Sequence, residues 1–132
     1  MTAKAIFVNN RDVPYADMIA AGKKLYETRS RNMLRALIGR RVAVVRTGCG
    51  SPEIIGFVNI DGADYFAHDS FENIRDLTMI PKNSKYDDGG NGKWCYKLSA
   101  AHALETPIPL PKNIIRHGRS WCEIPLFVHW EF

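Results

Sequence analysis

Apolar and polar positions at the start of the chain follow first a strand spacing and then a helix spacing. Residues 4–9 (KAIFVN) form a mixed apolar run, which predicts a short strand buried on both faces. Asp12 is placed to cap a helix that has Pro14 in its first turn, and Gly22 suits a left-handed exit. The apolar face of this brief helix is formed by Tyr15, Met18 and Ile19.

Residues 24–29 (KLYETR) alternate as a strand does. The alternation puts Glu27 and Arg29 on one face and Lys24 on the other, so charge is expected on both faces. Lys24 and Glu27 can share one site only if Lys24 lies in the turn after Gly22 or at a local bulge.

The middle of the chain predicts a second helix and two strands. Ser30 can cap the helix, and Gly39 marks its end. Its apolar side comprises Met33, Leu34, Leu37 and Ile38. Residues 41–45 (RVAVV) and 53–60 (EIIGFVNI) are the clearest strands, and the glycine-rich segment between them predicts a loop joining antiparallel partners.

A third helix and a long loop follow. Asp69 and Glu72 have the spacing of a capping box, and Phe71, Ile74 and Leu77 give a helical stripe. Residues 81–93 (PKNSKYDDGGNGK) are polar, rich in glycine and without periodicity, which predicts a long surface loop.

The last third predicts further strands. Residues 94–98 (WCYKL) and 120–124 (SWCEI) have strand character, and the prolines of 106–113 (TPIPLPKN) are expected to exclude regular structure there. Residues 126–132 (LFVHWEF) are a candidate closing strand.

These elements, short strands with inserted helices, predict one α+β domain over residues 1–132, built on a small, mostly antiparallel β-barrel. The length of 132 residues is sufficient for a buried core. Lysine and arginine total 18 against 14 acidic residues, a net charge of +4 that favours polyanionic partners. No apolar run reaches the roughly 20 residues of a membrane span, so we expect a cytoplasmic protein with no membrane partner.

The cysteines and histidines show no paired ligand spacing, and we expect neither a metal site nor another cofactor. Cys95 and Cys122 each follow a tryptophan on a presumed strand, which indicates burial as reduced thiols.

Gly22, Lys24, Glu27 and Arg29 spell Gly-x-Lys-x-x-Glu-x-Arg within AGKKLYETR, and a predicted helix and the segments GRRVAVV and GFVNI follow. This arrangement resembles the ASCH family, the activating signal cointegrator homology domains of the PUA-like superfamily. The later segments KWCYKL and IRHGRSWCEI also resemble segments found in members of that family. The resemblance implies a PUA-like barrel, with a cleft beside the Lys–Glu–Arg strand, in a fold associated with RNA binding.

Some small relatives in this superfamily are amidohydrolases that remove an acyl group from N4-acetylcytidine with a lysine, a threonine and a distant glutamate. Lys24 matches that lysine, but Glu27 stands where the threonine nucleophile would be. Other relatives are described as ribonucleases, and no residue-by-residue match to them follows from this sequence.

A second basic group lies near the end of the chain. Arg116 and Arg119 flank Gly118, and Trp121 follows two residues later. Arginines that make paired hydrogen bonds to phosphate, next to an aromatic ring that stacks on a base, are suited to binding single-stranded nucleic acid. A tryptophan in a strand is, however, more often part of the core.

Three hypotheses remain open. The first is a module that binds RNA or a nucleotide through Lys24, Glu27 and Arg29, with Arg116 and Arg119 on phosphate. In this picture Glu27 reads a base edge or fixes Arg29. The second is a hydrolase of an acylated nucleoside or of RNA, with Lys24 activating the attacking group and Glu27 shuttling a proton. The third is a protein-interaction module with a purely structural ion pair.

Overall fold

The computed structural model describes residues 2–125, and within them seven strands and three short helices are defined. The strands are β1 (Thr2–Asn9), β2 (Tyr26–Arg29), β3 (Arg40–Thr47), β4 (Glu53–Phe66), β5 (Lys93–Pro109), β6 (Ile115–His117) and β7 (Trp121–Pro125). The α-helices are α1 (Tyr15–Ala20), α2 (His68–Asn73) and α3 (Arg75–Thr78), and Arg35–Leu37 form a single 3-10 turn. The predicted closing strand at 126–132 lies outside the described residues.

The seven strands form one sheet in the order β2-β5-β4-β3-β1-β7-β6. β1 and β3 are parallel, with Ala5 opposite Ala43, and every other described pair is antiparallel. The α+β class and the mostly antiparallel pairing are therefore confirmed.

The expected closed barrel is wrong for the described residues, because β2 and β6 end the sheet without pairing to each other. These two edge strands have only four and three residues. Closing a barrel requires a continuous ladder between its edges, and strands this short offer few free hydrogen-bonding groups for one.

The core occupies both faces of the central strands. Alternate residues of β3 enter different clusters: Val42 and Val44 pack with α1, whereas Ala43 and Val45 pack with Phe57 on the opposite face. Burial on both faces explains the continuous apolar run RVAVV.

The first helix is present, but its predicted cap is wrong. Asp12 makes no capping hydrogen bond; the side-chain oxygen of Asn10 instead accepts from the amides of Ala16 at 3.0 Å and Asp17 at 3.3 Å. Asn10 and Asp12 both lie shortly before the helix, and residue spacing alone does not show which of the two side chains folds back over its first turn.

The predicted second helix is reduced to the 3-10 turn. Leu34 and Leu37 are buried as expected, but Met33 and Ile38 are exposed, so no four-residue apolar face forms. The Leu34 amide donates to the Tyr96 hydroxyl, which in turn donates to Asn32. These long-range hydrogen bonds replace those of a regular helix.

The third predicted helix is divided at Ile74 into α2 and α3, and no side chain caps either segment. Glu72 pairs with Arg75 instead of closing a capping box. None of the described helices is long and apolar enough to cross a membrane.

The expectation that prolines exclude regular structure is wrong for residues 106–109, because β5 continues to Pro109. This part of β5 pairs with β4 alone, since β2 pairs only with Trp94–Lys97. A strand with one free side tolerates residues that lack an amide hydrogen.

Candidate functional site

The turn after Gly22 places Lys24 on the same side as Glu27. Gly22 has φ +76°, in the left-handed region that favours glycine, and β2 begins only at Tyr26. The Lys23 and Lys24 amides both donate to the Met18 carbonyl, at 2.9 and 3.1 Å. Lys24 therefore belongs to the turn and not to a regular strand, which brings its Nζ to 3.9 Å from Glu27 Oε1.

Lys24, Glu27 and Arg29 form a largely buried ionic cluster. The Lys24 and Glu27 side chains are 1% and 5% exposed. Glu27 Oε1 accepts from the Thr28 amide at 3.0 Å, and Glu27 Oε2 accepts from the Arg29 guanidinium. Arg29 also donates to the Phe7 carbonyl at 2.9 Å, which ties β2 to β1. Both carboxylate oxygens are thus engaged, and Glu27 fixes Arg29.

Burial and neighbouring charge act in opposite directions on these groups. Burial lowers the pKa of Lys24 to about 8, although the Glu27 carboxylate opposes the shift. Burial raises the pKa of Glu27, but the charges of Arg29 and Lys24 and the hydrogen bonds to the carboxylate outweigh it, so the pKa lies below the ordinary value. Glu27 is therefore ionised at neutral pH, and Lys24 can lose its proton under mildly alkaline conditions.

The stability of the fold should reflect the lowered pKa of Lys24. Between about pH 8 and the ordinary value of 10.5 the unfolded chain carries a proton on Lys24 that the folded chain has lost. Stability contributed by this group therefore rises with pH across that window. Urea unfolding at several pH values should show the free energy of unfolding rising across the window relative to Lys24→Met; a constant difference would contradict the shift.

A cleft of about 940 Å³ lies beside the ionic cluster. Its walls come from the end of β1, the first residue of α1, β2, the loop before β5 and the turn between β6 and β7. The residues at the cleft include Phe7, Tyr15, Lys24, Glu27, Thr28, Arg29, Tyr65, Lys85, Tyr86, Asp87, Asp88, Lys93, Arg119 and Ser120. The volume is within the range of about 300–1,000 Å³ that is usual for small-molecule sites.

Two residues that the sequence analysis did not select lie deep in this cleft. Lys93 is 8% exposed and donates to the Tyr86 carbonyl at 2.7 Å, and burial lowers its pKa. Tyr15 is 6% exposed, and the Lys24 ammonium lies 5.0 Å from its ring centre. A tyrosine on the apolar face of a helix and a lysine at the end of a glycine-rich loop carry no sequence signal for a site.

The predicted long loop is confirmed over residues 81–92, and two aspartates hold it in place. Asp88 accepts from the amides of Gly90 at 2.9 Å and Gly92 at 3.0 Å, and its Oδ2 lies 2.7 Å from His68 Nδ1. Asp87 accepts from Arg75 at 2.9 Å and from the Asn83 amide at 2.7 Å. Burial raises the pKa of Asp87, but these hydrogen bonds lower it to about 2, so it remains ionised at neutral pH.

The two arginines of the C-terminal turn occupy different places. Arg119 is exposed and lines the cleft. Arg116 is also exposed but is not among the lining residues, and its guanidinium lies 5.1 Å from the centre of the Phe7 ring. Trp121 packs against the core and stacks on His117 with ring centres 3.9 Å apart, so it is not a free platform for a base. The structure thus brings together Lys24, Glu27, Arg29 and Arg119, without Arg116.

His68, Glu72 and Asp88 have potential ligand atoms within 4.8 Å of one another. All three are already engaged, since Asp88 contacts His68, and Glu72 binds Arg75 and Lys82. Cys95 and Cys122 are buried free thiols, as expected, and burial raises the pKa of both to about 11.

Comparison with known proteins gives a fold relationship. No sequence-family model and no curated protein matches this chain. A crystal structure of ASCH from Zymomonas mobilis is 17% identical, with a TM-score of 0.63 over 80% of this chain and 73% of that one. Two mutants of the Zymomonas protein, one serine to alanine and one tyrosine to phenylalanine, are each 20% identical over 80% of this chain, with TM-scores of 0.64. They are covered over 74% and 76% of their own lengths. At these identities the comparison confirms the ASCH resemblance at the level of the fold.

Proposed function

We propose that this chain, which has the fold of ASCH domains, is a module that binds RNA or a nucleotide in the cleft beside Lys24, Glu27 and Arg29. The observation that carries the proposal is the composition of the cleft. An exposed arginine, Arg119, lies in one wall, and the aromatic residues Tyr65 and Tyr86 lie in the others. Cationic groups that reach phosphate and rings that stack on bases are the two requirements of single-strand binding.

The balance of charge in the cleft favours an anionic ligand. The cations at the cleft are Lys24, Arg29, Lys85, Lys93 and Arg119, and the acids are Glu27, Asp87 and Asp88. Each acid is engaged by a cation or a histidine: Glu27 by Arg29, Asp87 by Arg75 and Asp88 by His68. The exposed cations Lys85 and Arg119 therefore determine what an approaching ligand meets first.

The deep and exposed cations have different roles in this proposal. Lys24 donates to the Thr78 carbonyl and Arg29 to Phe7 and Glu27, so both shape the floor of the cleft. Arg119 is the residue that reaches phosphate. Contact of Arg116 with phosphate stays a prediction from the sequence, since it lies over Phe7 outside the cleft.

Replacing Arg119 with alanine should weaken binding of a short labelled single-stranded RNA about 5- to 20-fold, because a charge-assisted contact with phosphate is lost. The dependence of affinity on salt should also become shallower, by roughly one phosphate contact. Fluorescence anisotropy at low and near-physiological salt measures both quantities.

Arg35→Ala is the matched control for that experiment, because Arg35 is exposed and lies outside the cleft and its loss changes the net charge equally. Equal weakening by the two variants would indicate a diffuse electrostatic effect and contradict the cleft. Absence of RNA and nucleotide binding by the unaltered protein at low salt would overturn the proposal.

The lowered pKa of Lys24, 3.9 Å from Glu27, favours a hydrolase of an acylated nucleoside or of RNA as a second candidate function. Lys24 would activate the attacking group, Glu27 would move a proton, and Arg29 would orient Glu27. This activity is tested by incubating the protein with acylated nucleosides or short RNA and separating the products by chromatography. The unaltered protein must form a product that Lys24→Met does not form.

A further inference from the structure

The hydroxyl of Tyr15 is a buried polar group without a hydrogen-bond partner among the described residues. Buried hydroxyl groups are nearly always satisfied, because leaving one unpaired costs free energy. The Ser84 hydroxyl is near enough to lower the pKa of Tyr15, but no hydrogen bond of ordinary geometry joins the two, and Ser84 donates its own proton to the Pro81 carbonyl at 2.6 Å. Burial raises the pKa of Tyr15, so the phenol keeps its proton at neutral pH and can donate a hydrogen bond.

The ring that carries this hydroxyl is held on two sides. The Lys24 ammonium lies 5.0 Å from the ring centre, and Tyr86 packs edge to face with ring centres 5.9 Å apart and planes at 82°. Tyr15 is the first residue of α1 and lines the cleft. The orientation of the hydroxyl is thus set before any ligand arrives.

The lysines around Tyr15 are buried and already bind protein groups, so a phosphate reaches them less easily than it reaches the exposed Arg119. The ammonium of Lys24 is used by the Thr78 carbonyl and Glu27, and that of Lys93 by the Tyr86 carbonyl. Glu27 is an ionised carboxylate there and offsets part of their positive charge. A flat, uncharged ring with polar edge atoms matches such a floor, whereas a phosphate matches the exposed Arg119.

We infer that the Tyr15 hydroxyl hydrogen-bonds the edge of a single nucleobase inserted into the floor of the cleft, with the attached phosphate at the Arg119 side. This inference rests on the proposed function and specifies its ligand as a nucleotide bound base-first. In this arrangement Glu27 binds Arg29 and the Thr28 amide, and the Tyr15 hydroxyl contacts the base. A base that cannot pair with Tyr15 leaves the hydroxyl unsatisfied and binds more weakly, which gives selectivity among bases.

Titration calorimetry of the protein and its Tyr15→Phe variant with AMP, GMP, CMP, UMP and ribose 5-phosphate tests the inference. The unaltered protein should discriminate among the four nucleotides. Tyr15→Phe should bind the preferred nucleotide about tenfold more weakly, the usual effect of losing one hydrogen bond in a buried site. Binding of ribose 5-phosphate should not change, because it has no base.

Thermal unfolding of the same variant separates a ligand contact from a structural one. Removal of an unpaired hydroxyl should leave the melting temperature unchanged or raise it. A lowered melting temperature would mean that the hydroxyl has a structural partner, and equal affinity of both proteins for every nucleotide would mean that it touches no base; either result overturns the inference. If both proteins bind every nucleotide equally but Arg119→Ala binds nucleotides more weakly, the proposed function still holds. Failure of the unaltered protein to bind any of the four nucleotides would overturn the base-first site, and the RNA measurement would then decide the proposed function separately.

Discussion

Replacing Glu27 with alanine should lower the free energy of unfolding by about 3–5 kcal/mol, the usual effect of removing one member of a buried ion pair. The Lys24 side chain is 1% exposed and that of Arg29 is 17% exposed. Without the carboxylate these two cations lose their shared counterion and repel each other in a poorly solvated region. Urea denaturation followed by circular dichroism measures the effect.

Glu53→Ala is the matched control for that substitution. Glu53 pairs with Arg46 at 2.8 Å, but their side chains are 34% and 23% exposed. Exposed pairs contribute about 0–1 kcal/mol, so this variant should lose much less stability. If Glu27→Ala loses no more stability than Glu53→Ala, the cluster is effectively solvated and the account of the cleft floor is wrong.

Gly92→Ala should lower the free energy of unfolding by about 2–5 kcal/mol through two effects, left-handed backbone strain and overpacking. Gly92 has φ +82°, and a Cβ there would overlap the Phe66 carbonyl oxygen and lie 2.9 Å from the Ala67 Cα. Neither backbone atom can move as a side chain can. Because the Gly92 amide donates to Asp88, the substitution should also displace this wall of the cleft and weaken nucleotide binding.

Gly90→Ala isolates the backbone strain from the overlap. Gly90 has φ +81°, and its amide also donates to Asp88, but nothing lies within 4 Å of an added Cβ. Its expected loss is about 1–2 kcal/mol, from the left-handed conformation alone. Thermal and urea unfolding of both variants give the comparison; equal losses would show that the close approach to Phe66 does not determine stability.

The sequence identified the charged motif, but tertiary contacts determined its geometry. Gly22 was the residue that made a turn before the strand plausible, and the turn is what brings Lys24 to Glu27. Strand alternation alone would have separated them. Lys24 contacts the ring of Tyr15, which belongs to α1, and the carbonyl of Thr78, which is distant in sequence. The burial of Lys24 lowers its pKa, and the motif alone does not show these contacts.

Local patterns failed where a side chain other than the expected one made the interaction. Asn10 caps the first helix in place of Asp12, and Tyr96 holds the segment around Leu34 that was predicted to be helical. Lys93 gave no sequence signal, because a lysine beside a glycine-rich loop is normally solvated. Closure of the sheet depends on the length of its edge strands, and periodicity predicts strand ends poorly.

The central claim is that the cleft beside Lys24, Glu27 and Arg29 receives a nucleotide. Titration of a short single-stranded RNA into nitrogen-15-labelled protein, followed by amide correlation spectra, tests it most directly. We expect the largest chemical-shift changes on amides of residues that line the cleft, among them Thr28, Tyr86 and Ser120. Changes centred on the exposed segment around Arg35, or none at low salt, would contradict it.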